Sequence, residues 1–211
     1  MTSQFQHLIP EAIQVLRDGG VILHPTETCY GLAADIFHPE AVEKIYILKE
    51  MPREKPVSIM VSSLEQASEY GDFGDDDSPA RRLSRALWPG PLTIIVKRGL
   101  QLPSYMNPGL SSVGLRCPDD GFTLELLRQF CGPLVTTSAN RTGQPQAYDV
   151  ETFLEDRIEV MHPDFVVDLG RIALTPPSTI VDVSGESGVP MVIVRHGPVS
   201  AEEVKRVFEG R

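Results

Sequence analysis

The stretch "VILHPTETCYGLAAD", residues 21–35, passes from an apolar run into Pro25 and then into three small or acidic polar side chains, Thr26, Glu27 and Thr28. The run "VILH" is typical of a buried strand. In sheet proteins, ligands usually bind beyond the ends of strands. The polar residues after His24 are therefore predicted to form one wall of a binding site.

Helical and strand patterns alternate along the chain on both sides of this stretch. They predict a mixed α/β (α+β) fold, a sheet with helices on its faces. The length of 211 residues favours one domain spanning residues 1–211. The predicted helices are "PEAIQVLRDGG", "PEAVEKIYILKE", a short helix that ends at Tyr70, a helix that contains Leu83 and Leu87, "TLELLRQF" and "SAEEVKRVF". The predicted strands besides "VILH" are "PVSIMVSS", "LTIIVK", "SSVGLR", "PLVTTS", "DFVVDL", "STIVDV" and "MVIVR".

Composition places the chain among globular proteins, with 41% hydrophobic and 23% charged residues. No apolar run approaches the roughly 20 residues that span a bilayer. The start "MTSQFQHLIP" has neither the basic nor the apolar region of a signal peptide. The expected location is the cytoplasm, without a membrane partner.

The net charge is −10, and residues 71–79, "GDFGDDDSP", form an acidic cluster. A protein that binds nucleic acid through many phosphate contacts usually carries a basic surface, in contrast to this acidic chain. Direct binding of nucleic acid is therefore expected to be weak or absent. Any anion that the chain binds must be held locally.

Cysteine and histidine give no metal signature. Cys29, Cys117 and Cys131 form no C-x-x-C pair, so they are expected to be reduced and mostly buried thiols. The histidines lack ligand spacing on a recognised element, and they are interpreted as surface or turn residues. No protein metal site is predicted. The histidines considered are His24, His38, His162 and His196.

Two further clusters follow predicted elements. "TTSANRTG", residues 136–143, contains Ser138 and Asn140 after an apolar strand, and "LKEMPREKP" carries Lys49, Arg53 and Lys55 at a helix end. Hydroxyl, amide and cationic groups of this kind can hold an anion. Ordinary turn chemistry, complementation of the helix dipole and a solvated face explain each cluster equally well when it is taken alone.

Arg116 and Arg195 lie at the ends of otherwise apolar strands. A charge at such a position is costly unless it reaches water or a partner. Arginine and lysine would supply charge while serine, threonine and asparagine fix orientation. Together the clusters predict a pocket for a ligand that bears phosphate and carboxylate groups.

The ordered motifs "PTETCYGLA", "LWPGPLTIIV", "VGLRCPD", "TTSANRTG", "PSTIVDVS" and "VIVRHGPV" resemble the YrdC-type threonylcarbamoyl-AMP synthase family, in its short, single-domain form. The resemblance implies a twisted mixed sheet around a large, positively lined cavity. It implies a nucleotidyltransferase that joins L-threonine, bicarbonate and ATP into threonylcarbamoyl-AMP and pyrophosphate. The product would pass to a tRNA threonylcarbamoyl transferase complex for modification of tRNA to threonylcarbamoyladenosine. Mg²⁺ is expected with ATP, with few or no direct protein ligands.

Position by position, the resemblance implies two groups of site residues. The expected residues for ATP and phosphate are Lys49, Arg53, Ser138, Asn140 and Arg195, with Lys49 and Arg53 as the catalytic cations. The expected threonine-binding residues are Thr26, Tyr30, Arg116 and Ser178, with Glu27 and Thr28 shaping the turn.

The chain departs from the family at one position. The family usually shows Lys-x-Arg where this chain has Lys49, Glu50 and Met51, and Arg53 is expected to swing into the vacated space. A thioether does not replace a bidentate arginine. Hence a YrdC-like paralogue that serves as a nucleotide-binding, RNA-binding or ribosome-maturation module stays open, although the retained Ser138 and Asn140 oppose it. The carbamoyl-transfer module of large hydrogenase-maturation proteins is a third reading, opposed by the missing paired cysteine motifs.

Overall fold

The computed structural model describes residues 5–155, 161–185 and 188–211. Seven α-helices lie in these ranges, after a short 3₁₀ turn at Gln6–Leu8. Proline occupies the first turn of three of the helices, where its missing N–H is not needed. The helices are α1 (Ile9–Arg17), α2 (Pro39–Leu48), α3 (Leu64–Tyr70), α4 (Pro79–Leu87), α5 (Gly121–Phe130), α6 (Val150–Glu155) and α7 (Ala201–Phe208).

One mixed sheet contains all ten strands of the described ranges. Its order is β10-β9-β5-β6-β3-β7-β2-β1-β8, and β4 pairs with β5 beside this path. The expected mixed fold is confirmed, because parallel and antiparallel pairs alternate irregularly across the sheet. The strands are β1 (Ile22–His24), β2 (Gly31–Asp35), β3 (Ser58–Met60), β4 (Gly71–Asp72), β5 (Leu92–Arg98), β6 (Ser112–Arg116), β7 (Leu134–Ser138), β8 (Phe165–Val166), β9 (Thr179–Asp182) and β10 (Val192–Arg195).

The quoted stretch forms an antiparallel pair of strands. β1 ends at His24, residues 25–30 form the connection, and β2 returns beside β1 with His24 opposite Gly31. β2 also pairs with β7, so it lies inside the sheet. Its sequence "GLAAD" was not predicted as a strand, because small residues lack the β-branched side chains that identify strands.

The two faces of the sheet carry different cores. On one face, α1 and α5 cover a cluster that includes Ile22, Ala33, Met60 and Leu134. The larger cluster, with Leu32, Ile59 and Leu115, packs on the opposite face. In the described ranges, no helix is both long and apolar enough to cross a membrane.

Candidate active site

A cavity of about 540 Å³ opens on the face of the sheet that α1 and α5 cover elsewhere. Strand alternation brings the side chains of Thr93, Ser58 and Thr136 to this face, from β5, β3 and β7. Gly114 of β6 lies between them. A Cβ at Gly114 would approach Ser58 Oγ to 3.0 Å and Thr93 Cγ2 to 3.2 Å. The floor is thus lined by small, mostly hydroxyl-bearing residues.

Four cations line the cavity: Lys49, Lys55, Arg116 and Arg195. No aspartate or glutamate is among the lining residues that the structure describes, although the whole chain has a net charge of −10. Neutral hydrogen-bonding groups complete the wall, among them Ser138, Asn140 and Ser178. This combination suits anionic ligands, since preorganised cations and hydroxyls stabilise negative charge in a partly enclosed site.

Lys49 organises one end of the cavity. It follows α2 and is buried, and its ammonium group donates to the carbonyl oxygens of Ser138 at 2.5 Å and Asn140 at 2.8 Å. The Oδ1 atom of Asn140 also accepts from Ser138 Oγ at 2.5 Å. Thr142 N donates to the carbonyl of Lys49 at 2.9 Å, which ties the loop after β7 to the helix end. The structure therefore joins Lys49, Ser138 and Asn140 into one hydrogen-bonded cluster.

Arg195 and Ser178 form a second cluster, at the other side of the cavity. The Nε atom of Arg195 donates to the Ser178 carbonyl at 2.9 Å, and Nη2 donates to Ser178 Oγ at 3.0 Å. Partial desolvation by the surrounding protein lowers the pKa of Arg195, because it disfavours the charged form. The resemblance assigned Ser178 to threonine and Arg195 to phosphate, whereas the structure places both side chains at the same spot.

The connection at residues 25–30 is held by Thr26. Its Oγ1 accepts from the N–H groups of Thr28 and Cys29, at 3.1 and 3.2 Å, and donates to the Cys29 carbonyl at 2.7 Å. Thr28 and Cys29 are the members of this connection that line the cavity. The sequence led us to expect Thr26 beside threonine and Thr28 in the turn, whereas in the structure Thr26 holds the turn and Thr28 lines the cavity.

Tyr30 is fully buried and serves as an anchor. Its hydroxyl donates to the Gly170 carbonyl at 2.8 Å and accepts from Leu169 N at 3.2 Å. Burial raises its pKa. Tyr30 is not among the cavity-lining residues, which differs from its expected place beside threonine. It fastens the connection to the segment after β8.

Arg116, at the end of β6, pairs with Glu27. Nη2 lies 2.7 Å from Glu27 Oε1 and 3.3 Å from Thr28 Oγ1. Glu27 Oε1 also accepts from Asp119 N at 3.2 Å. Both side chains are largely buried, at 10% and 19% exposure. Glu27 thus does more than shape the turn, because it fixes the guanidinium of Arg116 in the cavity wall.

Arg53 does not reach the cavity. Its guanidinium pairs with Glu43 and lies 4.6 Å from the centre of the Tyr46 ring, so both contacts hold it on α2. The space expected for it is lined by Met51 and by Lys55, two residues further on. The structure thus places Arg53 on α2, whereas the sequence led us to expect it in the space of the missing family arginine.

His24 differs from the surface or turn position expected for it. The ring is fully buried, with Nδ1 3.0 Å from both the Pro25 carbonyl and Thr123 Oγ1. Burial lowers its pKa to about 4. Of the cysteines, Cys29 and Cys117 are buried thiols and Cys131 is an exposed one. Burial raises the pKa of Cys29, which favours the unreactive thiol.

The structure gathers six of the expected site residues around the cavity: Lys49, Ser138, Asn140, Arg195, Arg116 and Ser178. Thr26, Tyr30 and Arg53 lie behind it or away from it. Three further lining residues, Thr28, Lys55 and Thr93, had no individual ligand contact assigned from the sequence. Thr28 belonged to the predicted wall, Lys55 to a cationic cluster and Thr93 to the motif "LWPGPLTIIV".

Known proteins are similar in sequence to this chain over most of its length. Threonylcarbamoyl-AMP synthase of Rattus norvegicus is 32% identical over 208 residues, which are 95% of this chain and 70% of that protein. Threonylcarbamoyl-AMP synthase of Pyrococcus abyssi is 30% identical over 196 residues, which are 92% of this chain and 55% of that protein. The chain thus spans little more than half the length of the archaeal relative.

Two solved structures share the fold. Sua5 of P. abyssi complexed with L-threonine superposes with a TM-score of 0.84 at 29% identity, covering 94% of this chain and 56% of that one. Escherichia coli YciO gives a TM-score of 0.82 at 26% identity, covering 94% and 93%.

Residues 14–197 match the Sua5/YciO/YrdC family, whose description is "Telomere recombination". This range contains every cavity-lining residue of the described chain. It also contains the motifs on which the resemblance was based, except for the last two residues of "VIVRHGPV", Pro198 and Val199. The chain belongs to the Sua5/YciO/YrdC family.

Proposed function

We propose that this protein is an L-threonylcarbamoyladenylate synthase, a nucleotidyltransferase that uses L-threonine, bicarbonate and ATP. The observation that carries the proposal is the cavity, which four cations line without a carboxylate among its described residues. The names of the relatives and the threonine complex of the P. abyssi protein support the same substrate class.

The reaction brings anions together at both steps. The neutral amine of threonine attacks the carbon of bicarbonate, and water leaves to give a carbamate. A carbamate oxygen then attacks the α-phosphorus of ATP, while the bond to the β-phosphate oxygen breaks and pyrophosphate leaves. Neither step needs a protein nucleophile, so positioning and charge stabilisation are the main tasks of the site.

The residues divide into two roles. In the proposal, Lys49 and Lys55 neutralise the phosphates, with Ser138 and Asn140 orienting them. The ammonium group of Lys49 is preorganised for this role, because it donates hydrogen bonds to the carbonyls of Ser138 and Asn140. Arg116 and Ser178 receive the amino acid, and Arg195, beside Ser178, binds an anionic group of either substrate. Thr26 and Tyr30 support the wall that carries Thr28.

Magnesium enters with ATP in this proposal. The described lining offers hydroxyl and amide oxygens, such as those of Ser138 and Asn140, rather than carboxylates. This donor set fits an ion that keeps water and phosphate oxygens as most of its ligands. Bound magnesium would neutralise part of the phosphate charge.

The product is a reactive mixed anhydride, so a second enzyme must consume it promptly. We propose a tRNA threonylcarbamoyl transferase complex as that partner. The net charge of −10 opposes direct and extensive contact with the tRNA. A cytoplasmic location is part of the same proposal.

Release of pyrophosphate from ATP tests the function. The purified protein is assayed with magnesium, bicarbonate and each amino acid in turn, beside Lys49→Met and the exposed control Lys205→Met. Release that needs both threonine and bicarbonate is expected, with a loss of about 100-fold or more in Lys49→Met and none in Lys205→Met.

Binding of ATP without any turnover would contradict the synthase. It would favour the paralogue that only binds nucleotide or RNA. We retain this second candidate function because Met51 lines the cavity at the position where the family usually has arginine.

A further inference from the structure

Thr93 is a buried polar residue of the cavity to which no motif assigned a role. It lies on β5, in the run "LTIIV", with 2% of its surface exposed. Its neighbours Leu92 and Ile94 pack in the core on the opposite face, so the Thr93 side chain is directed to the cavity floor. There its Oγ1 atom lies 2.9 Å from Ser178 Oγ.

The hydrogen bond between Thr93 and Ser178 leaves one of their hydroxyl protons unused. Thr93 and Ser178 have two hydroxyl protons, and the hydrogen bond between them uses one. Arg195 Nη2 only donates, so it occupies a lone pair of Ser178 and takes up no proton. In the part of the chain that the structure describes, neither hydroxyl has another acceptor. One hydroxyl proton therefore remains available in the cavity.

This donor lies apart from the Lys49 cluster. Two strands, β6 and β3, separate β5 from β7 in the sheet. At about 4.8 Å per strand, β5 and β7 are about 14 Å apart across the sheet. The cavity thus has two groups of donors that can hold the two ends of one extended anionic ligand.

We infer that Thr93 is a further ligand-binding residue, which with Ser178 and Arg195 forms a subsite for an anionic oxygen of the ligand. The charge of Arg195 and the remaining hydroxyl proton converge on that oxygen. Under the proposed function, on which the identity of the ligand rests, the oxygen belongs to the threonine carboxylate or to a phosphate of ATP. A carboxylate oxygen and a phosphate oxygen would both accept hydrogen bonds from this subsite.

A double-mutant cycle tests the shared proton. In Thr93→Val the Ser178 hydroxyl still donates, and in Ser178→Ala the Thr93 hydroxyl does, so each single change leaves one donor. We expect affinity losses of about threefold for Thr93→Val and about tenfold for Ser178→Ala, where Arg195 also loses an acceptor. The double variant should lose about fivefold more than the product of these factors, and Thr93→Ser should bind like the wild type.

Calorimetric titrations with L-threonine, L-threoninol and ATP identify the oxygen. An excess loss for threonine but not for threoninol, which lacks the carboxylate, assigns the carboxylate, and an excess loss for ATP assigns a phosphate. Ser84→Ala removes a buried hydroxyl on α4, remote from the cavity, and should retain wild-type affinities. Because Thr93 and Ser178 bond to each other, removing both hydroxyls should leave the fold intact.

Losses that merely multiply, or affinities that stay unchanged for all three probes, would overturn the inference. These titrations do not depend on turnover. A wild-type protein that binds threonine and ATP but releases no pyrophosphate would contradict the proposed function alone. A wild-type protein that binds none of the probes would contradict both.

Discussion

On one side of the cavity, the hydroxyls of Thr26 and Tyr30 are directed to backbone groups of the protein. On the other side, the hydroxyls of Thr93 and Ser178 share a single hydrogen bond. We call these the loop side, residues 25–30 with Arg116, and the strand side, formed by Thr93, Ser178 and Arg195. Similar residue types hold the fold together on the loop side and leave a donor for a ligand on the strand side.

The difference follows from local geometry. A connection between two strands must satisfy its own backbone groups, so its short polar side chains fold back on the chain. The backbone of Thr93 is satisfied by the sheet, and the carbonyl of Ser178, just before β9, accepts from Arg195, so neither hydroxyl is needed by its own backbone. Changes on the loop side should therefore reduce stability, and changes on the strand side should reduce affinity.

The largest effect is expected for Glu27→Gln on the loop side. Removing the carboxylate leaves the buried guanidinium of Arg116 without its anion, which costs about 3 kcal/mol of unfolding free energy. Urea denaturation measures this loss. Glu125→Gln, a change on the exposed face of α5, should stay within about 0.5 kcal/mol of the wild type. A Glu27→Gln protein of unchanged stability would contradict the structural role of the loop side.

The next effect concerns the pH dependence of stability. The pKa of His24 is lowered from 6.5 to about 4, so between these values the unfolded chain binds the proton and the folded one does not. Stability should then fall as the pH drops through this window, by about 2 kcal/mol between pH 7 and pH 5. Urea denaturation at both values measures the fall.

Two variants sharpen the His24 prediction. His24→Gln should lose most of this difference between pH 7 and pH 5. His162→Gln, which alters an exposed ring, should keep it. Equal pH dependence in wild type and His24→Gln would show that another group is responsible.

Lys55 and Arg53 provide a smaller test, on ligand affinity. Lys55 lines the cavity, whereas Arg53 is held by Glu43 and Tyr46. Lys55→Ala should weaken ATP binding by about tenfold, and Arg53→Ala by less than about twofold. The reverse order in a titration with ATP would restore Arg53 to the phosphate site and refute its placement on α2.

The smallest effect is expected for Tyr30→Phe. The variant loses the hydrogen bonds to Gly170 and Leu169, worth about 1 kcal/mol of stability. Its affinity for L-threonine should remain within about twofold of the wild type. A selective loss of threonine affinity without a change in melting temperature would instead place Tyr30 in contact with the ligand.

Much of the fold could be predicted from apolar periodicity, because buried strands such as β5 and β7 are runs of apolar and β-branched residues. β2 could not, since Gly31, Ala33 and Ala34 have low strand propensity and belong to the sheet only through their neighbours. Family motifs led to Lys49, Ser138 and Arg195, which the structure brings to one cavity.

The remaining site residues could not be predicted, because the sequence does not show the direction in which a side chain points. The order of residues after α2 does not reveal that Arg53 turns to Glu43 while Lys55 faces the cavity. A threonine in a β-branched strand is equally favoured by strand propensity, so Thr93 could not be distinguished from its neighbours. Only the register between β5 and its partners shows where its hydroxyl lies.

The floor of the cavity has a consequence for how such a site changes in evolution. Its depth is set by Ser58, Thr93, Gly114 and Thr136, which come from four strands and from distant parts of the chain. None of the four belongs to a contiguous motif with another. Thr93, Gly114 and Thr136 fall within the family motifs, but Ser58 does not, so a bulkier side chain at Ser58 would make the cavity shallower while every motif stayed intact. Two relatives can therefore share these motifs and still accept ligands of different size.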